Sequence, residues 1–284
     1  MPYIGDVPID KNSIKIMGIV NVSPESFYKK SIKTSINEIS SYVKKLENDG
    51  ADIIDIGAMS TAPYLHTMIS LDEEIMRLTK AIKIIKENCK LPISVDTPRS
   101  IVAEEAIKMG AHAINDVCGL KYDHKMAEII SKYNTPIIIG AYEKKPHKLL
   151  KGKSFSTKKI LCDSIMIAQK AGINKTNIII DPSIGFFRNE SNNPFFTKIT
   201  KIPWYLRDIE IVSNLKKLST LSLPICISIS NKSFLGKLLN LTIDERVIPS
   251  LIMEVIAIIN GATLIRTHNV KETMLALNTL QLIY

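Results

Sequence analysis

The chain has 284 residues, 45% of them hydrophobic, which is enough for one large barrel or two average domains and too apolar for global disorder. Its 37 basic and 28 acidic residues leave a net charge of +9. That favours an anionic ligand, but the lysines are scattered with no long basic run, which argues against a nucleic-acid partner.

The first ten residues, MPYIGDVPID, lack the basic-then-apolar pattern of a signal peptide. The first apolar run, Ile14–Asn21, reads as a strand, and helical periodicity follows over 35–49. The pattern repeats with strand Asp52–Gly57 and helix 70–88, strand Ile93–Asp96 and helix 99–109, then strand Ala113–Asp116 and helix 123–133. Strand Pro136–Gly140 precedes helix 156–171, and strand Asn177–Asp181 precedes helix 205–219. Strand Ile225–Ser228 with helix 243–260 and strand Thr263–Arg266 with helix 271–281 complete the series. The strands are near-continuous apolar runs, as expected when both faces are buried. Eight strand-then-helix units over about 270 residues match a (β/α)8 TIM barrel, an α/β fold, in a single domain spanning 1–284. No linker or composition break divides the chain, and a doubly wound open sheet is the alternative. The longest apolar stretch, near Val247–Asn260, contains Pro249 and Glu254, so no membrane partner is expected. The four cysteines, at 89, 118, 162 and 226, form no C-x-x-C and no Cys/His metal spacing. A zinc site and a disulfide framework are therefore not expected, and a reducing cytoplasm is.

Polar residues close these strands. Asn21 ends the first, Ser60-Thr61 follow the second, Asp96 ends the third and Asn115-Asp116 the fourth. Asp181 ends the sixth, Lys232 follows the seventh, and Arg266-Thr267-His268 end the eighth. One polar strand-end residue is commonly a helix cap or a turn former. In a barrel, however, the C-terminal strand ends share one rim, where active sites sit. Their convergence there points to chemistry.

The segments MGIVNVSPESF (17–27), GADIIDIGAMSTAP (50–63), PISVDT (92–97), GAHAINDVCGL (110–120), IIIDPSIGF (178–186), SNKSFLG (230–236) and LIRTHNV (264–270) resemble dihydropteroate synthases, in that family's order and spacing. The resemblance implies a transferase of folate biosynthesis: 6-hydroxymethyl-7,8-dihydropterin diphosphate loses pyrophosphate and p-aminobenzoate, or a related arylamine, takes its place. It implies that Asp96, Asn115, Asp181 and Lys232 line a deep pterin pocket, where carboxylates accept from the ring donors while Asn and Lys donate. Asp96 would also stabilise the cation that develops as pyrophosphate departs. Arg266, Thr267 and His268 would hold the diphosphate, and Thr61 and Ser230 would contact the arylamine and order the loops. The implied cofactor is Mg2+, with Asn21 as its protein oxygen. His66, His112, His124 and His147 are expected to be structural, and Asp116 a helix cap or a supporting residue.

The chain departs from the family pattern in its loops. Ser60-Thr61-Ala62-Pro63-Tyr64 stands where S-T-R-P-G is usual, Asn231 where the arginine of S-R-K is usual, and Gly140-Ala141 where Met-His is usual. Tyr28-Lys29-Lys30 replaces Asp-Gly-Gly, and Ser183 replaces the glycine of D-P-G. Lys29 or Lys30 is a candidate substitute for a lost pyrophosphate arginine, although lysine cannot reproduce a bidentate fork. The alternatives are a pterin-dependent methyltransferase, which needs no diphosphate cradle, and a barrel that binds pterin without turnover. The surplus of isoleucine on 247–260, with the family's habit of pairing through its late helices, leads us to expect a homodimer.

Overall fold

The computed structural model describes residues 1–10, 13–25, 32–65, 67–145 and 153–283. A hairpin opens the chain, with β1 (Tyr3–Ile4) antiparallel to β2 (Val7–Pro8). Strands β3 (Lys15–Asn21), β4 (Ile53–Gly57), β5 (Ile93–Asp96), β6 (Ala113–Asp116), β7 (Ile137–Gly140) and β8 (Ile178–Asp181) follow. After an excursion holding the short parallel pair β9 (Phe187–Arg188) and β10 (Thr197–Lys198) come β11 (Cys226–Ile227) and β12 (Leu264–Thr267). The spatial order β11-β12-β3-β4-β5-β6-β7-β8 is parallel throughout. A parallel bridge between Ile180 and Ile225 brings the two ends of the sheet together, so the eight strands form the barrel of a single domain.

The period of two along each strand divides the apolar residues between two cores. Ile54, Ile56, Val95, Ile114, Ile139 and Ile180 face outward into the helix layer. Met17, Ile53, Ala113, Ile138, Ile179, Cys226 and Leu264 face inward and form a separate cluster with Ile4 and Ile9 of the opening segment. The hairpin, whose strands are too short to register as periodicity, thus plugs the bottom of the barrel. Above that apolar plug the inward positions turn polar: Asp55, Ser94, Asp96, Asn115, Asp181 and Arg266. The interior can carry charge only where substrate or a partner side chain meets it, and that is the C-terminal mouth.

Nine helices are present among the described residues: α1 (Ile36–Asn48), α2 (Leu71–Asn88), α3 (Ser100–Lys108), α4 (Met126–Tyr133), α5 (Lys153–Lys170), α6 (Trp204–Ser213), α7 (Ser233–Leu239), α8 (Val247–Ile259) and α9 (Val270–Gln281). Ser35 and Glu38 close a reciprocal capping box at the start of α1. Two elements differ from expectation. The helix predicted over 205–219 stops at Asn214, whose side-chain amide donates to the Glu210 carbonyl at 3.1 Å, and a 3-10 segment, Leu215–Leu221, continues from there. Helix α7 is additional, because seven residues are too few to display a helical period.

No helix among the described residues is long and apolar enough to cross a membrane. Cys89, Cys118, Cys162 and Cys226 are all unpaired thiols, and three of them are buried.

Candidate active site

The mouth of the barrel holds two connected lobes. The inner one is lined by Asp96, Asn115, Asp181, Ser228, Phe186 and Arg266. The outer one shares Asp96, Phe186 and Arg266 and continues to Asn21, Thr61, Pro63, Tyr64, Arg188, Lys232, Ser233 and His268.

Arg266 organises the inner lobe. Its Nε donates to Asp55 Oδ2 at 2.6 Å and its Nη2 to Asp96 Oδ2 at 2.7 Å. Asn115 Nδ2 also points at Asp55 Oδ2, at 3.3 Å. One guanidinium between two carboxylates leaves a net negative charge, and Asp55 Oδ1 and Asp96 Oδ1 are buried without a protein partner. Asp96 lines both lobes, so a ligand that presents an N–H group there would satisfy its oxygen. Burial pushes the Asp96 carboxyl above the ordinary carboxylate range; Arg266 opposes the shift and Asp55 adds to it. The two carboxylates hold the Arg266 guanidinium firmly charged, against its own desolvation. Asp55 was not singled out in the sequence, because it sits inside the apolar run Ile53–Gly57. Arg266, in turn, is already engaged by both carboxylates and does not stand open for a diphosphate alone.

Asp181 is aimed by its own loop. Its Oδ1 accepts from the backbone N of Ser183 at 2.6 Å, while burial raises its carboxyl. The fully buried Arg207 braces this turn, donating to the carbonyls of Pro182 at 2.5 Å and Ser183 at 3.1 Å and pairing with Asp208 at 3.1 Å. Asp208 Oδ2 accepts from the backbone N of Gly185 at 3.0 Å. Ser183 adopts φ 56°, a left-handed conformation that favours glycine, and its buried Oγ has no partner. Replacing Ser183 with Gly is therefore expected to stabilise the protein by about 1 kcal/mol. A higher melting temperature checks this, and a lower one contradicts it.

In the outer lobe Lys232 Nζ lies 4.6 Å from the Phe186 ring centroid. Burial, reinforced by Arg266, lowers its ammonium to about 8, against the pull of Asp181 and Asp208. Burial first, then Arg266 and Lys232, hold His268 down at about 3, so its imidazole is neutral. Asn21 lines the same lobe, its Oδ1 3.7 Å from the position a Cβ on Gly57 would take, so the glycine keeps space open beside that oxygen.

Two predicted contacts need correction. Thr267 is fully buried and faces the helix layer, where its Oγ1 accepts from the backbone N of Asn269 at 3.1 Å and meets Thr273 Oγ1 at 3.3 Å. With Arg266 and His268 turned inward, strand alternation turns Thr267 outward. Ser230 does not line either lobe; its Oγ accepts from the backbone N of His268 at 3.2 Å and from Asn269 Nδ2 at 3.3 Å. It ties the loop after β12 to the loop after β11. Asp116 likewise turns away, accepting from the backbone N of Cys118 and of Leu120 at 2.8 and 2.7 Å. His112 accepts from Ile93 N at 3.1 Å, a structural bond.

The loop after β4 is latched by the β8–α6 excursion. Asn193 Nδ2 donates to the Ala62 carbonyl at 2.6 Å, and Asn192 N to the Pro63 carbonyl at 2.8 Å. Asn231, at the position of an expected arginine, is fully buried with neither amide atom partnered, so it replaces no cation in the cleft. Lys29 and Lys30 lie outside the described residues, as do His66 and His147. Arg188, which the sequence reading passed over, does reach the outer lobe. Its Nη2 donates to Ser233 Oγ at 2.7 Å and its guanidinium lies 3.3 Å from the Trp204 ring centroid. Its one distinguishing mark in the sequence is scarcity, since only six arginines occur in the chain.

Residues 17–268 match the family model described as "Pterin binding enzyme". The dihydropteroate synthase of Clostridium beijerinckii is 36% identical over 90% of this chain and 89% of its own length. That of Bacillus subtilis is 34% identical over 92% of this chain and 86% of its own. A dihydropteroate synthase structure from Clostridium difficile, solved in the presence of pteroic acid, superposes with a TM-score of 0.83 at 33% identity, covering 96% of this chain and 98% of that one. These likenesses favour the synthase over the methyl-transfer reading. With the barrel, the carboxylates at its mouth and the matched motifs in agreement, the chain belongs to the dihydropteroate synthases, the transferases of folate biosynthesis among the pterin-binding enzymes.

Proposed function

We propose that this chain condenses 6-hydroxymethyl-7,8-dihydropterin diphosphate with p-aminobenzoate, releasing pyrophosphate and forming dihydropteroate. The observation that carries the reading is the Asp55–Arg266–Asp96 clamp, which holds Asp96 in the lining of both lobes, beside Asp181, with its Oδ1 unpartnered. A pterin edge offers the alternating N–H groups that such oxygens need. Asp181 accepts from the ring's amino and ring N–H donors, Asn115 bonds ring nitrogens, and Lys232 reaches the carbonyl side. As the C–O bond to the diphosphate breaks, positive charge grows on the exocyclic methylene, and the negative clamp lies ready to stabilise it. The amine nitrogen of the acceptor then forms the C–N bond and gives up a proton, and pyrophosphate leaves. Thr61 and Pro63 on the latched loop bound the acceptor's path.

Mg2+ fits the outer lobe in one way. No group of three or more His, Cys, Asp or Glu that could hold a metal exists among the described residues, so a fully protein-caged ion does not suit the site. Asn21 Oδ1 is a hard oxygen donor, suited to an ion that keeps its waters and is shared with substrate phosphates. When bound, Mg2+ would neutralise charge on the departing diphosphate.

The homodimer reading rests on the face formed by α7, α8 and α9. There Ile248 is 70% exposed and Ile252 56%, with Leu239, Ile259 and Leu275 also exposed. Such a contiguous apolar face fits a subunit interface that leaves each barrel mouth open. Four unpaired cysteines suit a reducing cytoplasm.

The test is pyrophosphate release from the dihydropterin diphosphate with Mg2+, with and without p-aminobenzoate. Release that requires p-aminobenzoate is expected. No release despite pterin binding would overturn the reading, and so would release that does not depend on p-aminobenzoate, because water is then the only acceptor.

A further inference from the structure

We infer that Arg188 recognises the acid end of the arylamine and so makes this enzyme selective for an acceptor that carries a carboxylate. The inference rests on the synthase reading and names a specificity residue within it. Arg188 is only 7% exposed, and no carboxylate lies within ion-pair distance of it among the described residues. The carboxylate that acts on it most strongly, Asp208, is already committed to Arg207 and to the backbone N of Gly185. A cation desolvated to this degree without an anion is costly, and the cost is recovered when an anion arrives.

The guanidinium is also preorganised. One face rests on Trp204 at 3.3 Å, and Nη2 is fixed on Ser233 Oγ at 2.7 Å. Its buried Nε has no partner. A planar fork held on one face and at one corner, with N–H groups to spare, suits the planar geometry of a carboxylate. Lysine would offer only a point charge.

Position selects the arylamine rather than the diphosphate as the anion. Asn21 ends β3, and Arg266 and His268 end the adjacent β12, so these groups form one pole of the cleft. Arg188 reaches the cleft from the excursion after β8 and abuts the first residue of α7, beyond β11. With the pterin seated against Asp96 and Asp181, an acceptor entering past Pro63 and Lys232 places its amine inward and its para substituent toward the Arg188 pole. The two arginines usual in the family's loops are absent here, at Ala62 and Asn231, and no cation replaces them at those positions.

The experiment compares p-aminobenzoate with 4-aminobenzamide, which keeps the ring and amine but removes the charge, in the wild type and in Arg188→Gln and Arg188→Lys. The wild type is expected to favour the acid. In Arg188→Gln, kcat/KM for p-aminobenzoate should fall about 10- to 100-fold, the value of a charge-assisted hydrogen bond or two, while the amide loses less than about threefold. KM for the pterin diphosphate should stay within about twofold of wild type, and Arg188→Lys should fall between the two. An equal loss for both acceptors would overturn the inference, as would a loss confined to the KM of the pterin diphosphate. If Arg188→Gln does not fold, the acid-to-amide ratio in Arg188→Lys decides: an unchanged ratio overturns the inference and a reduced one supports it. A wild-type enzyme that turns over both acceptors equally overturns this inference alone, whereas one that turns over neither overturns the synthase reading with it.

Discussion

Replacing Arg266 with methionine is expected to lower folding stability by about 3–5 kcal/mol at neutral pH, the cost of leaving buried carboxylates without their cation. Methionine keeps much of the length of the side chain, so the loss reports charge rather than a cavity. The pH dependence supplies the signature. Asp55 and Asp96 both bond this one guanidinium, at 2.6 and 2.7 Å, and Asp96 already lies above the usual carboxylate range. Arg266 is the main group that opposes the upward shift of Asp96, so without it the Asp96 carboxyl rises further and the folded variant binds a proton that the unfolded chain does not. The deficit should shrink as the pH falls toward 5 and that carboxyl becomes neutral. Urea unfolding at pH 7.5 and at 5.5 measures it. A loss below about 1 kcal/mol that does not change with pH would mean that the clamp is not an ionic unit.

Asp96→Asn is expected to lower kcat about 10²- to 10³-fold, the range for removing one preorganised electrostatic stabiliser of a transition state. The pH profile separates this role from simple binding. In the wild type, kcat/KM should rise with pH as the buried Asp96 carboxyl, held above its ordinary range, loses its proton. It should then fall as Lys232, held at about 8, loses its own. The product of the two is a bell. Asp96→Asn should erase the acid limb and leave the alkaline one, and Lys232→Met should do the reverse. An unchanged acid limb in Asp96→Asn would assign the titration to another group, with Asp181 the nearest candidate because burial raises it too.

The barrel and most of its mouth were legible in the sequence for one physical reason. Strands buried on both faces leave uninterrupted apolar runs, and the polar residue that ends each run lies on the rim. Asp96, Asn115, Asp181 and Arg266 are found there, as their strand ends imply. The same rule, applied one step further, separates Thr267 from its neighbours, since alternation that points residues 266 and 268 inward must point 267 outward. Asp55 escaped notice because it sits inside an apolar run, and its meaning appears only when the strand order sets β4 and β12 on either side of β3, so that Arg266 reaches it. Arg188 escaped because the β8–α6 excursion carries no period, and the two-residue ladder of Phe187–Arg188 with Thr197–Lys198 is too short to reveal itself. Ser183 was legible as a departure from the family's glycine, but its consequence, a left-handed residue at φ 56°, belongs to the fold. Helix α7 and the opening hairpin are short enough that tertiary contacts, rather than pattern, define them.

This barrel is expected to couple diphosphate departure to arylamine capture although its loops lack two of the family's usual arginines. A single-turnover reaction with enzyme in excess, quenched and resolved into its pterin products, tests it most directly. One dihydropteroate is expected for each pyrophosphate released, because Asn192 and Asn193 latch the loop after β4 and a fixed loop would keep water from the developing cation. Pyrophosphate accompanied mainly by 6-hydroxymethyl-dihydropterin, the product of capture by water, would contradict it.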